Sequence, residues 1–367
     1  MNNWTTPPFR ADHVGSLLRP AELLAAYEGV ENGRLSRADL YDIAARHSRE
    51  AIAMQERIGL QGVTDGEFRR VIYFGHFTTA VSGFTMTESE ISFDEDGRSI
   101  KYLSPTVTGK LRHVGGIATD EFKFVQANTS RTPKVTLPSP ADQHAFRYRE
   151  GISDAVYPDL DEFFADVAQV YRTELAELGK LGASYVQFDD TTFTLFCDAK
   201  WRERFRVRGY DPDDMVRRYV ELINAAVAEK PAGMAVVMHM CRGNNQGEWL
   251  FSGGYDAVAE AIFTRLDLDG FFLEYDSERA GSFAPLRFIP PSKRVILGLV
   301  TSKSPQMEEE ADLLQRIEAA GRYFPHEQMG ISPQCGFAST APGNPLTPDD
   351  QWRKLALVVQ VAEKVWR

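Results

Sequence analysis

A (β/α)8 barrel is the fold class that the sequence predicts, and three observations predict it. Eight short apolar runs rich in β-branched residues alternate with longer stretches of helical period. That alternation implies parallel pairing through right-handed crossovers, and eight such units imply closure. Polar side chains gather at the C-terminal ends of several runs, where a barrel collects its functional groups. An open doubly wound sheet would carry a Gly-rich phosphate loop after its first strand, and the sequence has none there.

The strands are expected at 11–18, 59–67, 133–138, 184–190, 235–241, 270–276, 294–300 and 329–337, and the helices at 36–58, 159–181, 212–229, 255–265, 306–320 and 348–366. Gly182, Gly270 and Gly330 stand where a helix turns into a strand and a flexible residue is wanted. Residues 80–127 break the pattern. They are polar and strand-like, with a hairpin expected around Asp96-Gly97. Residues 1–367 therefore read as a single (β/α)8 domain carrying an inserted, hairpin-like segment after the second strand. The insertion would serve as a lid or as the contact of a homodimer.

Composition narrows the partners. The net charge of -11 disfavours nucleic acid and anionic membrane, both of which need a basic face. No run approaches the ~20 apolar residues of a membrane span, and MNNWTTPPFRADHVGS is not a secretory leader. Three cysteines, Cys197, Cys241 and Cys335, are too few for a disulfide framework. A reducing cytoplasm is the expected location, where cysteines serve as metal ligands or as small buried residues.

The chemistry is expected at the strand ends. Glu67 closes the second strand, Asp189 and Asp190 the fourth, and His239 with Cys241 the fifth. Glu274 lies near the end of the sixth and Cys335 near the end of the eighth. His239 and Cys241 are two apart, so their side chains share one face of a strand. With Glu274 and Cys335 they make an N, S, S, O set, which suits tetrahedral zinc better than magnesium or calcium. Two thiolates and a carboxylate around a divalent ion leave a net charge of about -1, a poor setting for hydrolysis and a good one for carrying a reactive thiolate. Taken singly, a strand histidine is more often a hydrogen-bonded core residue and a buried cysteine a small hydrophobe. Four such residues at one end of a barrel carry more weight. Cys197 lacks a partner pattern and reads as structural.

The ordered segments HVGSLLRP, VTDGEFRR, VQFDD, HMC, FFLEYD, SKSP and ISPQCGF resemble the catalytic barrel of cobalamin-independent methionine synthase, and the chain is most similar to the short single-barrel relatives. The resemblance runs from roughly residue 9 to 365. It implies zinc held by His239, Cys241, Glu274 and Cys335. It implies Glu67 and Asp189 gripping the amino group of homocysteine, with Ser16 at the amino-acid end. Two carboxylates facing an ammonium would form charge-assisted hydrogen bonds. Glu67 has the alternative of an ion pair with Arg69 or Arg70. His13, near the end of the first strand, is counted as a substrate contact or a core residue, and Asp190 as a helix cap.

The implied activity is transfer of a methyl group to homocysteine, giving methionine. The donor would be methyltetrahydrofolate or a methylcorrinoid protein. Two departures fall on the donor side. The segment LPSPADQHAF has no tryptophan, leaving Phe146 or Tyr148 to stack on a pterin, and Lys303 stands where the family often has histidine. One rival is another zinc-dependent thiol alkyltransferase, such as an epoxyalkane:coenzyme M transferase. Its sulfonate would look to Arg10, Arg19, Arg69 and Arg70. The other is a non-catalytic zinc-binding protein.

Overall fold

The computed structural model describes residues 4–93, 98–148 and 150–366, with backbone only at 91–93 and 98–103. Asp96-Gly97 lies outside the described residues. The strands are β1 (Gly62–Val63), β2 (Val81–Phe93), β3 (Arg98–His113), β4 (Thr132–Pro133), β5 (Val135–Pro138), β6 (Tyr185–Asp190), β7 (Ala235–Met240), β8 (Gly270–Glu274), β9 (Arg294–Val300) and β10 (Met329–Pro333). The helices are α1 (Ala21–Glu31), α2 (Arg37–Ile58), α3 (Gly75–Ala80), α4 (Thr119–Asn128), α5 (Asp142–Ala145), α6 (Leu160–Lys180), α7 (Thr192–Leu195), α8 (Ala199–Val207), α9 (Pro212–Val227), α10 (Ala259–Phe263), α11 (Glu310–Gly321) and α12 (Pro348–Trp366).

Six strands form one parallel sheet in the order β10-β9-β8-β7-β6-β5. At one edge β5 runs on from β4, which pairs in parallel with β1. At the other edge Ala11 bridges Ile331 in parallel. The seam between the first two strand positions is tied by single bonds. Leu17 N–H donates to the Gly66 carbonyl at 3.1 Å, and the Thr64 hydroxyl to the Gly15 carbonyl at 2.7 Å. The result is the α/β architecture of a TIM barrel. Nearly every residue of β5–β10 is buried, which explains why these strands read as continuous apolar runs without alternation.

Local chemistry fixes the elements. Ser36 and Asp39 form a reciprocal capping box on α2, and Gly59, at φ 100°, ends it. Asp211 caps α9, and Pro212 occupies its first turn. At the barrel centre Lys134 is fully buried, with its ammonium 3.1 Å from Asp12 Oδ1. The Tyr185 hydroxyl holds the other Asp12 oxygen at 2.7 Å.

Several expectations need correction. The first strand position is only a bridge at Ala11, and the second is two residues long. The expected helix at 255–265 is a 3-10 turn followed by the five residues of α10. Gly182 does sit at a turn, at φ 91°, but Gly330 lies within β10. There a Cβ would come within 2.8 Å of the Arg10 carbonyl, so close backbone approach is what requires glycine.

β2 and β3 form an antiparallel pair from Val81↔His113 to Phe93↔Arg98. The region 80–127 is not strand-like throughout, because α4 follows the pair. The base of the pair is pinned to α6. Glu174 accepts from His113 Nε2 at 2.7 Å and from the Ile117 and Ala118 N–H groups at 2.9 and 2.7 Å. The hydrogen bond to Glu174 raises the His113 pKa above its ordinary 6.5, against the opposing pull of burial. A raised folded-state pKa gives stability that is complete below the unfolded value and is lost as pH rises through the folded one. The urea-midpoint difference between the wild type and His113→Gln is therefore expected to shrink between about pH 5.5 and about pH 8.5. A difference that grows with pH would contradict this pairing.

Candidate metal and substrate site

Register brings the strand ends together. Asp189 of β6 pairs with His239 of β7, Glu274 ends β8 opposite Gly298 of β9, and Cys335 follows β10 by two residues. Cys241 is held just past β7 by its N–H, which donates to the Asp190 carbonyl at 2.7 Å. Ligand atoms of His239, Cys241, Glu274 and Cys335 all lie within 4.8 Å of one another, and all four residues are buried. This is a group that could hold a metal ion.

Its chemistry fits that use. The two sulfurs are 3.5 Å apart. The hydrogen bond between them pulls the Cys335 pKa well below that of an ordinary thiol, helped by His239, and drives that of Cys241 well above. Burial raises the pKa of Glu274 despite the nearby Lys303. Glu274 Oε1 accepts from Arg242 N–H at 2.8 Å, while Oε2 lies 3.6 Å from Arg279 Nη2. Glu274 Oε2 and both ring nitrogens of His239 are buried without a hydrogen-bond partner among the described residues. Orphaned buried polar atoms cost about 1–3 kcal/mol each unless a ligand takes them up, so their convergence here favours a metal.

A second cluster stands beside the first. Glu67 has a left-handed backbone, φ 61°, locked by its N–H donating to Asp65 Oδ1 at 2.8 Å. Its Oε1 accepts from the Thr136 hydroxyl at 2.8 Å, and Oε2 lies 3.7 Å from Arg70. The nearest partner of Arg70 is Glu121 on α4, which it meets with two nitrogens. Asp189 accepts from Gln187 at 2.6 Å, and burial, then the charge of Glu67, push its pKa up to about 7. Asp190 caps the following turn through Phe193 N–H at 2.8 Å. Ser16 is packed so closely against Gly336 that a Cβ there would fall 2.0 Å from its hydroxyl.

Both clusters open on one cavity of about 250 Å³. Ser16, Glu67, Asp189, His239, Cys241 and Cys335 line it, and Ile72, Phe74, Phe146 and Leu250 give it apolar walls. His13 is not part of the lining. It is buried beside Lys134 and Asp12, and desolvation followed by the Lys134 charge pulls its pKa down to about 4. The expected substrate contact is thus replaced by a place in the barrel interior. Tyr148 is outside the lining as well, packed on Phe205. Lys303 donates to the Gly243 carbonyl at 3.1 Å. Sequence reasoning passed over Tyr73, Asp142 and Asn244, which also line the cavity. Asp142 stands in the segment searched only for a stacking aromatic.

The family model described as "Cobalamin-independent synthase, Catalytic domain" matches residues 9–364. The uncharacterized protein YxjH of Bacillus subtilis is 40% identical, over 98% of this chain and 95% of its own length. A methionine synthase of Pyrococcus abyssi is 26% identical, over 88% of this chain and 85% of its own. Among solved structures, a putative vitamin-B12 independent methionine synthase from Listeria monocytogenes superimposes with a TM-score of 0.78 at 30% identity, covering 99% of both chains.

Proposed function

The chain belongs to the family of the cobalamin-independent synthase catalytic domain, and from that premise we propose that it is a zinc-dependent enzyme transferring a methyl group to the thiol of homocysteine, which yields methionine. The observation that carries this reading is the convergence of His239, Cys241, Glu274 and Cys335 within 4.8 Å, three of them, His239, Cys241 and Cys335, lining one cavity with Glu67 and Asp189. In this reading residues 1–367 are one domain with 80–127 inserted, and the protein works in the cytoplasm with methyltetrahydrofolate or a methylcorrinoid protein as donor.

Bound zinc would be held by the four ligands and would supply the Lewis acidity that lowers a thiol pKa. The rest of the work falls to the chain. Glu67 and Asp189 accept hydrogen bonds from the substrate ammonium. A cation between them restores Asp189 to its ionised form, because opposite charge offsets burial. Ser16 borders the same end of the cavity. The apolar walls exclude water and hold the methyl group in line with the attacking sulfur. A thiol bearing a sulfonate would find less, since Arg10, Arg19, Arg69 and Arg70 all stay outside the lining and Arg147, which borders it, donates to the carbonyls of Asp142 and Gln143. Arg10 donates to Met329 O, and Arg19 to the carbonyls of Glu67, Arg70 and Ala338.

Calorimetric titration of the zinc-loaded protein with homocysteine and with coenzyme M tests the reading. Homocysteine is expected to bind more tightly. Glu67→Gln and Asp189→Asn are each expected to weaken it by about 1.5–3 kcal/mol, roughly ten- to a hundredfold, with zinc retained. Unchanged homocysteine affinity in both variants would remove the carboxylates from substrate binding.

A further inference from the structure

The two carboxylates that would face a substrate ammonium are held in different ways. Glu67 has the Thr136 hydroxyl on Oε1 at 2.8 Å and Arg70 3.7 Å from Oε2. Among the described residues the Asp189 side chain has one hydrogen bond, which Gln187 Nε2 donates to Oδ1 at 2.6 Å. Gln187 and Asp189 are two apart on β6, so they share its inward face, with Gln187 the deeper of the two. In the sheet register Gln187 stands beside Thr136 of β5, the residue that holds Glu67. The same Gln187 nitrogen also donates to the Val14 carbonyl at 2.6 Å, across the barrel interior at the first strand position. A primary amide has two N–H groups, and both are spent here. One anchors the amide on Val14, and the other is thereby aimed at Asp189.

Gln187 is fully buried, and its Oε1 has no hydrogen-bond partner among the described residues. An orphaned buried acceptor is unfavourable, so the fold carries this amide at a cost that an apolar side chain would not incur. Gln187 is absent from the cavity lining, whereas Asp189 belongs to it. Whatever Gln187 does for a substrate passes through Asp189. A neutral amide suits that task. It fixes one carboxylate oxygen and brings no positive charge of its own to compete with an incoming ammonium, while Oδ2 accepts no hydrogen bond from the described residues. We propose that Gln187 is a positioning residue for the acceptor thiol, which sets the Asp189 carboxylate so that the cavity prefers a thiol carrying an ammonium to the same thiol without one. The proposal rests on the reading above, in which Glu67 and Asp189 receive the substrate ammonium.

The test is calorimetry on the zinc-loaded protein with homocysteine and with 4-mercaptobutyrate, which is homocysteine without its amino group. The wild type is expected to bind homocysteine at least about tenfold more tightly, the scale of a hydrogen bond to a charged group. Gln187→Met removes the donor at similar length. It is expected to weaken homocysteine about tenfold and to leave 4-mercaptobutyrate within about twofold, with zinc retained. A merely structural role would weaken both thiols alike. In an Asp189→Asn background the same substitution is expected to cost less than about twofold, because its effect runs through that carboxylate. Should Gln187→Met fail to fold, Gln187→Glu keeps the shape, offers at most one proton to the two acceptors, and is expected to erode the preference in the same direction. Equal losses for the two thiols, or losses that add in full in the double variant, would overturn the proposal and leave the roles of Glu67 and Asp189 standing. A wild type that binds both thiols equally would overturn those roles, and the proposal with them.

Discussion

Cys335→Ser is expected to reduce the zinc content from about one ion per chain to a small fraction, with the barrel still folded. The side chain lies within 4.8 Å of the other three ligand atoms and 3.5 Å from Cys241 Sγ. A serine hydroxyl reaches less far than a thiolate, is harder to ionise and is a harder ligand, so three donors remain where zinc wants four. The fold has little stake in that sulfur. Cys335 follows β10, and its neighbours are fixed by backbone bonds that do not involve the thiol, among them Gln334 N–H to the Val300 carbonyl at 2.8 Å and Phe337 N–H to the Ser16 carbonyl at 3.0 Å. Elemental analysis after dialysis, alongside circular dichroism, checks both halves. Full zinc occupancy in a folded variant would exclude Cys335 from the metal site.

Arg70→Met is expected to destabilise the protein by about 3–5 kcal/mol, the scale seen when one partner of a buried ion pair is removed. Arg70 and Glu121 are both buried, and Arg70 meets both carboxylate oxygens of Glu121. Arg70 also donates to Thr136 Oγ1 at 2.8 Å, and that hydroxyl in turn donates to Glu67. Methionine fills much of the volume but leaves Glu121 as an uncompensated buried charge and Glu67 without its nearest cation. Both carboxylates would then tend to bind protons, so the loss is expected to be smaller at low pH, where Glu121 is neutralised. Urea denaturation at about pH 7 and about pH 5 measures both effects. A variant as stable as the wild type at neutral pH would show that the pair contributes nothing.

Arg70 also marks where sequence reasoning stops. The strands that carry the candidate metal-binding group were readable because each is an uninterrupted apolar run ended by a polar residue, a pattern that burial on both faces imposes. His239 and Cys241 were readable as a pair because strand periodicity alone places them on one face. The support for Glu67 was not. Its partner chain runs through Thr136 and Arg70 to Glu121, and Glu121 lies on α4, a short helix in a stretch whose polar, β-prone neighbours hid its period. Asp142 was missed for a related reason, since its donors come from Thr191 and Thr192 after β6 and from Tyr73, and nothing local to LPSPADQHAF announces them. The short first and second strand positions had the opposite fault. Their apolar residues look strand-like, but among the described residues that side carries a bridge at Ala11, the two-residue pairing of β1 and isolated hydrogen bonds. Gly330 was placed correctly near a strand but for the wrong physical reason, because a carbonyl pressing on its Cα is invisible without the neighbouring strand.

X-ray absorption at the zinc edge, recorded on the loaded protein before and after saturation with homocysteine, bears most directly on the proposed chemistry. Before addition, the expected shell is two sulfurs at about 2.3 Å, from Cys241 and Cys335, with nitrogen and oxygen at about 2.0–2.2 Å. After addition, a third sulfur is expected at the expense of the oxygen contributed by Glu274, whose carboxylate keeps Arg242 N–H as a hydrogen-bond donor. An unchanged shell at saturating homocysteine would mean that the thiol does not reach the metal, and the four residues would then serve the fold rather than methyl transfer.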